Sequence, residues 1–137
     1  MAGKTPSMAE PMPIRSSDDV VKVRQEVRKY AAEIGLSLVD QTKLVTAASE
    51  IARNTLVHGG GGQALIEIVE NGSRRGLRLT FEDRGPGIAD LEQALRDGFT
   101  TGTGLGLGLG GARRLSNEFK IESKPGTGTR VVLARWR

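Results

Sequence analysis

The spacing of apolar residues predicts two helices in the first half of the chain. The first runs from capping residues at 16–18 to Gly35, and the second from residues 37–40 to a run of glycines at 59–62. Apolar positions in both segments recur every three or four residues, the period of a helix that buries one face. They are Val20, Val23, Val27, Tyr30 and Ala31 in the first helix, and Leu44, Ala47, Ala48, Ile51 and Leu56 in the second.

Alternation of apolar and polar residues predicts strands before and after these helices. Two of the strands flank an Asn71-Gly72 turn, and the last two are joined by Pro125-Gly126-Thr127-Gly128. Both connections are typical of hairpins between antiparallel strands. The predicted strands cover residues 11–15, 64–69, 77–82, 120–123 and 130–136.

A glycine-rich segment precedes the last two strands and leads into a third helix. A short helical piece near residues 91–95 comes first, and six glycines then fall between Gly102 and Gly111. The order β-α-α-β-β-α-β-β predicts an α+β fold, a two-layer sandwich of a mixed, mostly antiparallel sheet with helices on one face. One apolar stripe of the third helix is predicted to contain Leu105, Leu109, Ala112, Leu115 and Phe119.

Composition and charge narrow the class of protein. The chain has 137 residues and no cysteine, so we expect one domain at 13–137 after a disordered tail at 1–12, without disulfides or thiolate metal sites. It has no apolar run long enough to span a bilayer and no apolar segment of a signal peptide, so a cytoplasmic protein without membrane contact is expected. The net charge is +4, but acidic and basic residues are interleaved, which is typical of a solvated surface and disfavours nucleic acid as the partner.

Glycines between 102 and 111 are compatible with two roles. Bare backbone N–H groups at the start of a helix bind phosphate, and small residues also allow tight helix packing. The chain has no Gly-x-x-x-x-Gly-Lys-Ser/Thr loop, no protein-kinase catalytic loop with Asp-Phe-Gly, and no βαβ unit around a dinucleotide fingerprint. The common nucleotide-binding motifs are therefore excluded, and both roles stay open for the glycines alone.

Polar residues share one face of the second predicted helix. Glu50 and Asn54 are four residues apart, and His58 follows one turn later. Carboxylate and carboxamide oxygens suit a hard cation such as Mg²⁺, and Glu50 is also a candidate base for a nucleophile. The alternative is an ordinary solvated helix surface.

A third cluster, Asp83-x-Gly85-x-Gly87, ends the third predicted strand. An aspartate at this place can accept a hydrogen bond from an exocyclic amine such as adenine N6, and the glycines let backbone approach the ring. The alternative is an ordinary Asp-Gly-Pro turn.

Taken together and in this order, the clusters resemble the ATP-binding fold shared by gyrase, Hsp90, histidine kinases and MutL. Glu50-Ile51-Ala52-Arg53-Asn54 matches the N box of that family, and Asp83-Arg84-Gly85-Pro86-Gly87 matches its adenine-reading G1 box. Gly102-Thr103-Gly104-Leu105-Gly106-Leu107 matches the phosphate-side G2 box, and Gly128-Thr129 resembles the closing Gly-Thr whose threonine supports the adenine pocket. The resemblance covers residues 13–136.

The resemblance implies that the chain binds ATP and Mg²⁺ and performs in-line phosphoryl transfer. Asn54 would ligate Mg²⁺, Glu50 would accept the proton of the attacking hydroxyl or orient it, and Asp83 would bind adenine. Arg84 or Arg96 would neutralise developing charge, and the sequence does not select between them. The other implied nucleotide-binding residues are His58, Gly85, Gly87, Gly102, Thr103, Gly104, Leu105, Gly106, Leu107 and Thr129.

Within this family, a module without further domains is similar to the anti-sigma serine kinases of bacterial partner-switching systems. Asp40-Gln41-Thr42 and the extended Leu-Gly alternation resemble the stressosome switch-kinase branch. The substrate would then be a serine or threonine of a small STAS-domain antagonist, and phosphorylation would release the kinase to activate a PP2C-type phosphatase.

Two other functions stay open. One is an anti-sigma factor that acts mainly by ATP-dependent binding of a sigma factor. The other is an orphan histidine kinase catalytic domain that acts on a second chain, since the single histidine, His58, lies in the ATP-site cluster and provides no separate phosphoacceptor.

Overall fold

A computed structural model describes residues 10–96 and 108–137. Within these residues the order of elements is the predicted one, and the short helical piece before the glycine segment is present. No helix in the described residues is long and apolar enough to cross a membrane. The elements are β1 Met12–Ile14, α1 Ser17–Glu33, α2 Leu38–Val57, β2 Gly62–Asn71, β3 Arg74–Asp83, α3 Leu91–Ala94, α4 Gly108–Arg114, β4 Glu118–Lys124 and β5 Gly128–Trp136.

Five strands form one sheet in the order β1-β2-β3-β5-β4. Each described neighbouring pair is antiparallel, so the sheet has no parallel pair in this part of the chain. Met12 pairs with Ala64, so β1 lies within the strand predicted at residues 11–15. The predicted α+β sandwich is confirmed, with antiparallel pairing throughout the described sheet.

Register assigns one face of the sheet to the helices. Phe81 lies between Ala64 and Val131, and Leu79 lies between Ile66 and Leu133; all six side chains are buried. Directly paired residues share a face, so these two rows form the floor on which α1 and α2 pack. Each large apolar side chain buried in this way stabilises the fold by roughly 1.5–3 kcal/mol.

Charged pairs occupy the opposite face of the sheet. Arg78 lies 3.0 Å from Glu67, and Arg130 lies 3.1 Å from Glu82. These side chains are between about a third and a half exposed, so each pair adds little stability. The same face also carries the apolar residues Leu65, Val132 and Trp136, so charged and apolar side chains are mixed on it.

Helix starts follow the capping chemistry expected from the sequence. The Ser16 hydroxyl accepts a hydrogen bond from the Asp19 N–H at 3.3 Å, and the Ser37 hydroxyl accepts one from the Asp40 N–H at 3.1 Å. Each serine thereby satisfies one of the N–H groups that a helix leaves open at its start. The long helix α2 is held in this way at the end away from Glu50 and Asn54.

The apolar stripe predicted to run from Leu105 to Phe119 is wrong in its second half. Helix α4 ends at Arg114, and Phe119 lies in strand β4. The Ser116 hydroxyl donates to the carbonyl of Ala112 at 2.9 Å, and the Asn117 N–H donates to the carbonyl of Ala134 at 2.9 Å. The chain therefore ends helix α4 at Arg114 and enters the sheet at Glu118, after three connecting residues. Leu105 lies outside the described residues.

An internal ion pair joins helix α2 to the sheet. Arg135 lies on the helix-facing side of β5, opposite the buried Leu77, and only 13% of its side chain is exposed. Its guanidinium donates to the Asp40 carboxylate at 2.8 Å and to the carbonyl of Leu115 at 2.7 Å. The hydrogen bond from Arg135 is the main reason that the pKa of Asp40 lies below its ordinary value of 3.8.

We expect Asp40→Asn to lower the melting temperature at neutral pH, because it leaves the Arg135 charge uncompensated. The native pKa of Asp40 is lowered, so its contribution is complete above the unfolded-state value of 3.8 and is lost as the pH falls through the native value. The difference in melting temperature between the two proteins should therefore shrink below about pH 4.

Glu70→Gln is the matched control, since Glu70 forms an exposed surface pair with Arg75 at 3.9 Å. Thermal unfolding followed by circular dichroism from pH 3 to pH 8 measures both variants. A D40N difference that stays constant across this range would contradict the assignment.

Candidate functional site

A cavity of about 410 Å³ lies between α2, the end of β3, the loop after β3, and the start of α4. Its volume falls within the roughly 300–1,000 Å³ typical of small-molecule sites. The apolar part of its lining consists of Ile51, Val57, Phe81, Pro86, Ile88, Ala89, Ala94, Leu109 and Val131. The polar part consists of Glu50, Arg53, Asn54, Thr55, His58, Asp83, Asp90, Gln93 and Thr129, with glycines 59, 87 and 108.

Helix α2 supplies one polar wall of this cavity. Glu50, Asn54 and His58, predicted from sequence to share a face, all line it. Glu50 and Asn54 are half-buried, whereas His58 is exposed. The helical spacing thus places a carboxylate and a carboxamide beside each other at the cavity wall.

Asp83, the last residue of β3, supplies the opposite polar group. Its Oδ1 accepts a hydrogen bond from the Gly85 N–H at 2.9 Å. Its carboxylate also lies directly against Gly59, where an added Cβ would overlap Asp83 Oδ2 and Cγ. Because Gly59 has no side chain, the segment that follows α2 lies directly against the end of β3.

Gly85 and Gly87 have a packing role in the structure, and their approach to a bound ring stays a prediction. A Cβ on Gly85 would lie 2.7 Å from the Gly59 Cα, and a Cβ on Gly87 would overlap the carbonyl of Lys124. Gly87 also has φ of +79°, a conformation that residues with a side chain rarely adopt. Both glycines are thus required by contacts with protein backbone. Gly87 lines the cavity and Gly85 lies beside it, outside the lining.

Thr129 lies in register with Asp83 and belongs to a hydrogen-bond network that sequence reasoning missed. Its hydroxyl lies 2.7 Å from the Ser123 hydroxyl, which also accepts from the Ile88 N–H at 2.8 Å. Ser123 therefore connects β4, β5 and the loop after β3. The sequence did contain a signal for Ser123. Phe119 and Ile121 face the core at every second position of β4, and Ser123 is a polar residue at the next such position.

Only part of the glycine-rich segment can be described. Gly102, Thr103, Gly104, Leu105, Gly106 and Leu107, the predicted phosphate-side residues, lie outside the described residues. At the start of α4, Gly108 and Leu109 line the cavity, and a Cβ on Gly110 would overlap the carbonyl of Leu95. Tight packing thus accounts for the last part of the glycine segment.

Neither arginine considered from sequence lines the cavity. Arg84 lies in a separate, more open groove with Lys124 and Arg130, and Arg96 belongs to neither lining. Arg53 lines the cavity instead, one residue before Asn54. Its position between Glu50 and Asn54 was the one feature of the sequence that could have indicated a place in the site.

Residues 39–137 match the family model described as histidine kinase-, DNA gyrase B- and HSP90-like ATPase. The chain belongs to this ATPase family. The matched residues include nearly all of α2 and the whole of β3 and α4, the elements that line the cavity. The fold and family predicted from the sequence clusters are confirmed.

Relatives of this ATPase family with known roles match most of the chain. The serine/threonine-protein kinase RsbT of Bacillus subtilis is 44% identical over 118 residues, which cover 86% of this chain and 89% of RsbT. An anti-sigma F factor of Halalkalibacterium halodurans is 30% identical and is matched over 80% of its length. The predicted resemblance to switch kinases and anti-sigma factors is thus confirmed.

Solved structures agree with the fold of the family. The RsbU and RsbW domains of a Mycobacterium tuberculosis protein superpose with a TM-score of 0.61 at 24% identity, covering 94% of this chain and 33% of that chain. The mycobacterial sensor histidine kinase MprB superposes with a TM-score of 0.56 at 17% identity. At these identities the comparison supports the architecture alone.

The cavity also contains oxygen donors that fit a magnesium ion. Glu50 and Asn54 present carboxylate and carboxamide oxygens one helical turn apart. Within residues 10–96 and 108–137, no group of three or more His, Cys, Asp or Glu residues forms a separate metal cage. Magnesium bound together with a nucleotide needs no such cage, because phosphates and waters supply most of its ligands.

We expect Gly59→Ala to weaken ATP binding about as much as Asp83→Asn does. The added methyl group must displace the Asp83 carboxylate, and a lost hydrogen bond to a charged group costs roughly tenfold to a hundredfold in affinity. Isothermal titration with ATP measures both variants.

Gly60→Ala is the matched control, because a Cβ there meets nothing within 4 Å although φ is +75°. It should lower stability by about 1–2 kcal/mol and leave ATP affinity unchanged. Wild-type affinity in both G59A and D83N would contradict a role for Asp83 in binding the nucleotide.

Proposed function

We propose that this protein is an ATP-dependent serine/threonine kinase that phosphorylates a STAS-domain antagonist protein in a partner-switching pathway. The observation that carries the proposal is one cavity lined by Glu50, Asn54 and Asp83, in a chain 44% identical to a serine/threonine-protein kinase. These residues supply a base, a metal ligand and an adenine acceptor within a single site.

The base of ATP binds at the Asp83 end of the cavity. The Asp83 carboxylate accepts a hydrogen bond from the exocyclic amine, while the apolar Ile51, Phe81 and Val131 contact the ring. The Gly85 N–H holds Oδ1 in place, so the carboxylate is oriented before the nucleotide arrives. Thr129 supports this end through its contact with Ser123.

The phosphates extend toward Asn54, which is the proposed ligand of Mg²⁺. When bound, Mg²⁺ neutralises charge on the phosphates and orients them for transfer. His58 also lines the cavity and is a further proposed nucleotide contact. The backbone N–H groups of residues 102–107 remain the predicted contacts to the phosphates.

Glu50 is the proposed catalytic base. It accepts the proton of the attacking serine or threonine hydroxyl while the hydroxyl oxygen bonds to the γ-phosphorus. The bond between that phosphorus and the bridging oxygen breaks, and ADP leaves with the electron pair. Because Glu50 is one turn from Asn54, its carboxylate lies next to the proposed position of the transferred group.

The output of this reaction is a change of partner. The kinase remains bound to its antagonist until phosphorylation releases it, and it then activates a PP2C-type phosphatase. Such regulators act inside the bacterial cell, so the proposal also places the kinase in the cytoplasm.

An anti-sigma function is the second candidate, favoured by the 30% identity to an anti-sigma F factor. In that case the ATP-bound protein would bind a sigma factor directly. A pull-down with a sigma factor and a STAS protein distinguishes this function from activation of a phosphatase.

Incubation with radiolabelled ATP, Mg²⁺ and the STAS protein encoded beside it should label that protein on serine or threonine. The phosphoryl group should survive acid treatment, because phosphoserine and phosphothreonine are acid-stable. Mass spectrometry then locates the modified residue. An acid-labile product, as expected for phosphohistidine, would contradict the proposal and support the orphan histidine kinase.

We expect Glu50→Gln to reduce the turnover number by about 100-fold or more and to leave ATP affinity within a few-fold of wild type. Glutamine keeps the shape of the side chain but cannot accept the proton. Single-turnover phosphorylation and ATP titration provide the two measurements, with E70Q as the control on the remote hairpin. Unchanged turnover in E50Q would remove Glu50 from the catalytic role.

A further inference from the structure

We propose that Arg53 binds the γ-phosphate of ATP and stabilises the charge that develops during transfer. This inference rests on the proposed function and extends it with a residue that the sequence clusters did not assign. The arginines considered from sequence, Arg84 and Arg96, are absent from the cavity lining, whereas Arg53 belongs to it.

The position of Arg53 on α2 places it at the phosphate end of the cavity. It follows Glu50 by three residues and precedes Asn54 by one, so it lies within one helical turn of both. Gly59, which contacts Asp83 at the base-binding end, lies six residues after Arg53, beyond the end of α2. A long side chain at Arg53 therefore reaches the same groups as Glu50 and Asn54.

The charges of the cavity lining favour a role for Arg53 in binding a polyphosphate. The described lining carries three carboxylates, Glu50, Asp83 and Asp90, and Arg53 is its single arginine or lysine. Residues 97–107, which complete the glycine-rich segment, contain no lysine or arginine in their sequence. Without Arg53 the protein would thus offer the phosphates no permanently charged cation from either source.

The Arg53 guanidinium is also available to bind a ligand. Its side chain is exposed at the cavity, and no hydrogen bond or ion pair joins it to another described residue. By contrast, Arg78, Arg130 and Arg135 are each engaged with a carboxylate. A planar guanidinium can donate two parallel hydrogen bonds to a phosphate, which lysine cannot do.

The test compares ATP with ADP, because the two nucleotides differ only in the γ-phosphate. In Arg53→Gln we expect the Kd for Mg·ATP to rise roughly tenfold or more, while the Kd for Mg·ADP stays within about twofold. The turnover number should fall by about a hundredfold or more, since an arginine at the transferred group contributes strongly to phosphoryl transfer. Arg53→Lys should recover only part of the ATP preference.

Arg75→Gln is the matched control, because Arg75 is an exposed arginine on the β2–β3 hairpin, at the other end of the sheet. It should leave both nucleotide affinities and turnover unchanged. Thermal unfolding of R53Q should match that of wild type, since an exposed side chain without partners in the described residues contributes little to folding.

Other outcomes would overturn the inference. Equal losses of ATP and ADP affinity would place Arg53 at the inner phosphates or at the cavity wall in general. Unchanged nucleotide affinities together with a raised KM for the STAS protein would show that Arg53 binds the protein substrate instead. If the wild-type protein is an active kinase and R53Q has the same nucleotide affinities and turnover number, only this inference is refuted. If the wild-type protein itself transfers no phosphate, the proposed function is refuted.

Discussion

The contact between the Asp83 carboxylate and the bare Cα of Gly59 is the constraint on which the site depends. It brings the end of a helix and the end of a central strand together without an intervening side chain. Gly85 packs on the same glycine and donates its N–H to Asp83, so backbone geometry fixes the carboxylate from two sides. The cavity between α2 and β3 owes its shape to this close approach.

Charge distribution in the cavity then restricts what it can bind. Carboxylates outnumber the single arginine in the described lining, so a polyphosphate needs additional positive charge. A magnesium ion held at Asn54 together with the Arg53 guanidinium would provide it at one end, leaving Asp83 to accept a hydrogen bond at the other. In the proposed arrangement the two ends of the cavity would therefore favour opposite charges, which would orient a nucleotide along α2.

Stability and function depend on different faces of the same helix. Leu44, Ala47 and Ala48 are buried in the core, and Asp40 is joined by an ion pair to Arg135 on β5. Another side of α2 faces the cavity and carries the half-buried Glu50 and the exposed Arg53. Function can therefore vary along this face without loss of the core, because helical periodicity separates the two sets of side chains.

Much of the fold and part of the site could be predicted from the sequence. The caps at Ser16 and Ser37 and the strands around Asn71-Gly72 follow from neighbouring residues, and the structure contains them. The grouping of Glu50, Asn54 and His58 depended only on helical spacing, and all three line the cavity. The stripe extended to Phe119 failed because hydrogen bonds from Ser116 and Asn117 end the helix and begin a strand, and periodicity alone does not reveal that competition.

The sequence by itself determined the elements, the family and the chemical types at the site, because these depend on local spacing and on short motifs. Only the tertiary structure decided which distant residues meet. It placed Gly59 against Asp83, connected Ser123 to Ile88, placed Arg53 rather than Arg84 in the cavity lining, and joined Asp40 to Arg135 across 95 positions of the chain. Those contacts are set by strand register and by the packing of α2 on the sheet, which no local pattern of residues contains.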